Sequence, residues 1–153
     1  MTTDVWFVML PGLLALDLTG PAETFVLAKG AFRLHYIGPD AEITTSIGIT
    51  MTGIAPLPET LPEGSLLVLP GVTDSANAFA TPQATRVSHW LMRLQPDIHR
   101  QKIQLMCVCS GALLAAKSGL MSGIHCTTHH NLIGRLKTAA PAALVKENRI
   151  FIE

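Results

Sequence analysis

Residues 103–116 read Ile103-Gln-Leu-Met-Cys-Val-Cys-Ser-Gly-Ala-Leu-Leu-Ala-Ala116 (IQLMCVCSGALLAA). Ile103 to Val108 is an apolar run short enough for a strand covered on both faces. The small residues Ser110, Gly111 and Ala112 follow Cys109, and a small-residue helix then runs to Ser118, stopped by Gly119. A strand, a tight turn at a nucleophilic residue and a helix make the geometry of a nucleophile elbow. The turn lifts one side chain into the open, and small neighbours let helix and strand approach closely. Cys109 holds the turn position and faces a helix N-terminus, where thiols titrate at ~3.5–7.5. The spacing therefore predicts a lowered pKa for Cys109. Cys107, inside the strand, reads as an ordinary buried cysteine.

The same alternation of strand and helix extends outward in both directions. Val5 to Leu10 and Leu66 to Leu69 are two more apolar strands, each ending in Pro-Gly, and Phe32 to Ile37 is a fourth strand. Asp17 to Glu23 opens a helix, with Pro21 at its first position and Gly30 ending it after Lys29. Ile43 to Met51 holds short strand-like pieces, residues 55–64 a Pro-rich connection and residues 72–80 a loop. Thr81-Pro82 starts a helix that places Ala84, Val87, Trp90, Leu91 and Leu94 on one face, with Pro96 just beyond its end. Ile124 to Thr127 is a short strand, 129–137 a helix, and Ile150 to Glu153 part of a last strand. Strands alternating with helices imply an α/β sandwich around a mostly parallel sheet.

Composition narrows the function classes. The chain has 153 residues, 48% hydrophobic and 14% charged, with eleven basic residues against eleven acidic ones. That length suits one domain spanning 1–153. Zero net charge gives this chain no basic surface for nucleic acid. No apolar run approaches the ~18–20 residues of a membrane span, and the start lacks a signal peptide's positive charge, so the expected location is the cytoplasm. Three cysteines, an odd number, make no disulfide framework. No cofactor is expected.

Asp17 follows the first strand, and Gly71 and Cys109 follow the carboxyl ends of two others. Ligands bind outside such ends in parallel sheets, so these residues are expected to converge, although Asp17 also suits a helix-flanking role. His125 and His129 have i, i+4 spacing, but Thr127 and Thr128 look like a strand end and a cap, so no metal site is expected. His129 is a candidate pocket residue.

Residues 107–130 (CVCSGALLAAKSGLMSGIHCTTHH) resemble the elbow signature of the PfpI-like, class I glutamine-amidotransferase-like superfamily. The shared features are a Cys-x-Gly-Ala elbow, a Gly-Leu-x-x-Gly turn and Thr-Thr-His. Asp17 to Phe25 (DLTGPAETF) and Leu69-Pro-Gly71 resemble two further signatures, in the same order. The chain looks most like the amino-terminal domain of GlxA-type, AraC-family transcriptional regulators. That resemblance implies a flavodoxin-like three-layer sandwich, a homodimer and a small-molecule ligand, with nitrogen-bearing metabolites the usual guess. DNA would be bound only through a carboxy-terminal helix-turn-helix region absent from this chain. It also implies a final strand and helix after residue 153, so the chain reads as a fragment.

The motifs are similar as well to those of isocyanide hydratases in the same superfamily. There the elbow cysteine is the nucleophile and an aspartate lies near it, which carries catalytic roles onto Cys109 and Asp17. Ser110 stands where those enzymes have Thr, and a hydroxyl is retained. Ligand-binding roles fall on Gly71, Val72, Ser110 and His129, with backbone N–H groups after Gly71 and at the elbow forming an anion pocket. A PfpI-type peptidase would have His directly after the cysteine, and an amidotransferase a late His-x-Glu pair; both are missing. His130 replaces the Trp usual after Thr-Thr-His.

The reading favoured is therefore a ligand-sensing and dimerisation domain of a regulator, non-catalytic or thiol-sensing. The alternative is a cysteine-dependent small-molecule hydratase, and a third is a bare dimerisation scaffold. A downstream helix-turn-helix region marks the first, turnover abolished by Cys109→Ala the second, and an elbow thiol no more reactive than the other two the third.

Overall fold

The computed structural model describes residues 1–153. Along the chain lie β1 (Thr3–Val8), α1 (Ala15–Leu27), β2 (Phe32–Gly38), the hairpin β3 (Glu42–Thr44) and β4 (Thr50–Thr52), β5 (Ala55–Pro56) and β6 (Leu66–Leu69). Then come α2 (Ser75–Ala78), α3 (Pro82–His99), β7 (Gln104–Cys107), α4 (Gly111–Lys117), β8 (His125–Cys126), α5 (Ile133–Ala139) and β9 (Leu144–Val145). The central sheet has the order β5-β2-β1-β6-β7, and every pairing in it is parallel. The chain leaves β1 toward β2 on one side and returns to β6 on the other. The strand order therefore reverses beside β1, where α/β sheets open a crevice.

Alternation along β1 divides the core into two layers. Val5, Phe7 and Met9 pack with Leu18 and Ala22 of α1. Val8 and Leu10 face the other way, into a larger cluster with Leu67 and Leu69 of β6, Trp90 and Leu91 of α3, and Leu114 of α4. The sheet is thus a middle layer between α1 and the group α3, α4 and α5. Parallel sheets need such double cover, because both faces of their strands are apolar. Trp90 is buried with its indole N–H donating to the Pro58 carbonyl at 2.6 Å. Thr81 caps α3, its hydroxyl accepting the Ala84 N–H at 3.2 Å.

Several sequence expectations need correction. Helix α1 starts at Ala15, so Pro21 sits inside it rather than at its first position. The helix starts early because Leu14 N–H is drawn to the Gly71 carbonyl (2.9 Å) and Leu13 bridges Val72. Pro96 lies inside α3, not past its end. The Pro-rich connection contributes β5, which pairs with β2 at the sheet edge, where a proline is tolerated. The loop at 72–80 contains α2. Ile150 to Glu153 forms no strand; Leu144–Val145 does, pairing with His125–Cys126. Local apolarity marked residues 150–153, but only a strand with a neighbour to pair with becomes one.

Cys107 packs against the larger cluster, and burial pushes its thiol up to about 12. A folded pKa above the ordinary 9.0 means that stability from this group is full below pH 9 and is lost as the pH rises toward 12. Urea midpoints are expected to fall across that window. Cys107→Ala should flatten the fall without abolishing it, since Cys109 and Cys126 are also shifted upward.

Candidate functional site

Three loops meet at the carboxyl ends of β1, β6 and β7. The β7–α4 turn brings Cys109, with φ of +52°, and Ser110. Non-glycine residues avoid positive φ, and holding one there costs about 1–3 kcal/mol. Two features pin this turn. Thr128 hydroxyl donates to the Cys109 carbonyl at 2.7 Å. The buried Ser110 hydroxyl accepts the Val72 N–H at 2.9 Å and contacts the Val72 carbonyl at 3.2 Å.

Asp17 lies in the first turn of α1, but its carboxylate does not cap that helix. It accepts the Gly71 N–H at 3.1 Å and the thiol hydrogen bond of Cys109. Gly71 is the point where these groups converge. A Cβ built there would stand 2.4 Å from Asp17 Oδ2, 3.0 Å from Ser110 Oγ and 3.1 Å from Cys109 Cβ. Only a residue without a side chain lets the three loops close.

The electrostatics of the pair differ from the lowered thiol pKa expected from the sequence. Burial pushes the Cys109 thiol up, the Asp17 charge beside it raises it further, and the Ser110 N–H opposes both. The carboxylate offers the thiol an acceptor and a negative neighbour, and both favour the protonated form. Asp17 is itself raised above 3.8, mainly by burial, against the lowering effect of the Gly71 N–H and the thiol. Asp17→Asn is therefore expected to speed alkylation of Cys109 at neutral pH, read by intact mass. It is also expected to raise the urea midpoint at neutral pH. A raised carboxyl contributes stability below pH 3.8 that is lost as the pH climbs through its folded value, so the ionised form is a cost there. Asn keeps an oxygen for Gly71. A lower midpoint would contradict this sign.

In front of the thiol is an open cavity of about 340 Å³. Val72, Cys109, Ser110 and His129 line it, four of the residues singled out from the sequence. Asp17 and Gly71 do not; they stand behind Cys109 and hold it. The backbone donors expected to form an anion pocket are engaged inside the protein: Gly71 N–H by Asp17, Val72 N–H by Ser110, and Ser110 N–H by the Cys109 sulfur. The remaining wall carries Asp74, Ser75, Asn131, Leu132 and Arg135, which sequence reasoning did not single out. Residues 72–80 read as a plain loop, and in the helix expected over 129–137 only His129 was singled out. Only the seating of α5, through the fully buried Leu136, turns its neighbour Arg135 toward the cavity. His125 is on β8 and does not line the cavity, and no cluster of metal-ligating side chains is present.

A parallel five-stranded sheet between helical layers, with its site at the strand reversal, is the flavodoxin-like fold of ThiJ/PfpI proteins. A ThiJ/PfpI family protein from Pseudomonas syringae superposes with a TM-score of 0.81 at 19% identity, covering 100% of this chain and 60% of that one. The fold is shared with an AraC family transcriptional regulator from Pseudomonas putida, at TM-score 0.71 and 16% identity, covering 97% of this chain and 80% of that one. In sequence, the chain is 25% identical over its whole length to the HTH-type transcriptional regulator CdhR of Pseudomonas aeruginosa. It spans 44% of that protein. No family model matches the chain. The chain thus has the fold of these ThiJ/PfpI and regulator structures, and its sequence is similar to part of an HTH-type regulator. No helix is long and apolar enough to cross a membrane.

Proposed function

We propose that this chain is the ligand-sensing and dimerisation domain of a cytoplasmic AraC-type transcription regulator. It binds a small molecule in the cavity before Cys109, and DNA is engaged through a separate helix-turn-helix region. The observation that carries the reading is the similarity to CdhR along all of this chain and 44% of that regulator. The site is compatible with it. Cys109 sits at positive φ in the β7–α4 turn, and the charge of Asp17 favours its neutral thiol, which suits binding or slow thiol sensing better than rapid attack. The second reading, a cysteine-dependent hydratase, rests on the hydrogen bond between Asp17 and Cys109. A carboxyl raised by burial beside a thiol is a proton shuttle of the kind such an enzyme needs.

A thermal-shift screen of small metabolites separates the two. For a sensor, a hit raises Tm in wild type and is recovered chemically unchanged by NMR. Its consumption, abolished in Cys109→Ala, would replace the sensor reading with the hydratase. Sedimentation at high protein concentration tests the dimer, and a monodisperse monomer would remove it.

A further inference from the structure

We infer that the cavity selects a ligand carrying a carboxylate, and that Arg135 is the residue that binds this group. The inference rests on the reading of the cavity as a ligand pocket and goes beyond it in naming the ligand's charge. Arg135 lines the cavity with Cys109, yet it is paired with no carboxylate of the protein. Its one hydrogen bond is donated from Nη1 to the Ser75 hydroxyl at 3.2 Å, and Ser75 is buried. That contact fixes one edge of the guanidinium and leaves its other donors free. A planar fork with free donors matches a carboxylate.

The backbone donors beside the thiol are occupied, and Arg135 is the one cationic side chain of Lys or Arg type in the lining. The Gly71, Val72 and Ser110 N–H groups bond within the protein, as described above. The Asp74 carboxylate is held by the Asn77 amide at 2.6 Å. His129 Nδ1 accepts the Asn131 N–H at 3.3 Å, so this ring offers at most its Nε2–H as a second donor. The cavity, at about 340 Å³, is at the small end of ligand sites, which fits a compact acid. A carboxylate on Arg135 would leave the rest of the ligand over the Cys109 sulfur.

Iodoacetate and iodoacetamide test this, because both place the same carbon on the thiolate and expel iodide, and only iodoacetate carries the carboxylate. Rates at Cys109 are read by peptide mass mapping, and their ratio is referred to the same ratio for free N-acetylcysteine. The expected ratio is about tenfold in favour of iodoacetate, the effect of one charge-assisted hydrogen bond. Arg135→Gln should bring it to unity and Arg135→Lys should keep part of it. Arg149→Gln, exposed and outside the cavity, should leave it unchanged. A wild-type ratio at unity, or one indifferent to Arg135→Gln, overturns the inference. If neither reagent modifies Cys109, the thiol-sensing reading fails by itself. The anion site is then decided by acetate titration of ¹⁵N-labelled protein: shifts at Ser75 that vanish in Arg135→Gln support it, and their absence in wild type overturns it.

Discussion

Gly111→Ala is expected to unfold this domain or to leave it severely destabilised. A Cβ at Gly111 would stand 1.9 Å from the Leu69 carbonyl oxygen and 2.8 Å from its carbon. Both atoms are backbone at the carboxyl end of β6, where the Leu69 carbonyl accepts the Val108 N–H at 3.0 Å, and Leu69 is fully buried. A flexible neighbour could turn aside, but a sheet carbonyl cannot. Helix α4 would have to lift from β6, opening contacts of Ala112, Leu114 and Ala115 in the larger core cluster. Overpacking costs ~1–3 kcal/mol when neighbours adjust, and a backbone obstacle places this case at or beyond the upper end. A loss of about 3 kcal/mol corresponds to a Tm lower by roughly 6–12 °C in a domain of this size. Melting followed by circular dichroism measures it. A Tm within ~2 °C of wild type would show that α4 is not held against Leu69 as described.

Gly71→Ala should damage the site more than the fold. The added methyl meets side-chain atoms, chiefly Asp17 Oδ2 at 2.4 Å, which can rotate away. Its rotation breaks the Gly71–Asp17 hydrogen bond and removes the acceptor that holds the thiol protonated. The expected stability cost is about 1–2 kcal/mol. The expected functional cost is larger: ligand-induced Tm shifts should vanish, and Cys109 alkylation should become as fast as in Asp17→Asn. Ligand shifts of wild-type size in Gly71→Ala would mean that the cavity works without the convergence at Gly71.

The contrast between the two glycines shows how far the sequence could be read. Gly111 was legible because small residues in a turn between a strand and a helix mark a close approach. Gly71 was legible as a residue after a strand, expected to converge with Asp17 and Cys109, but the close approach of Asp17, Ser110 and Cys109 that excludes a side chain there emerged only from three segments far apart in the chain. Asp17 looked equally like a helix-flanking residue until its carboxylate was seen on Gly71 N–H. Arg135 had no local signal at all, because a charged residue on a short helix usually faces water. The direction of the Cys109 shift was misread for a related reason. A helix N-terminus is visible in sequence, whereas the burial and the neighbouring carboxylate that outweigh it arise only on folding.

By itself the sequence determined the order of the principal strands and helices, the parallel sheet they imply and the turn that presents Cys109. Hydrophobic period, glycine and proline placement act within a few residues, so a linear reading captures them. The tertiary structure decided where Pro21, Pro96 and residues 150–153 fall, the protonation bias of the thiol, and the cavity wall built from α2 and α5. Those depend on pairing partners, desolvation and charges brought together from segments as distant as Asp17, Gly71 and Arg135, and no local pattern encodes such distances.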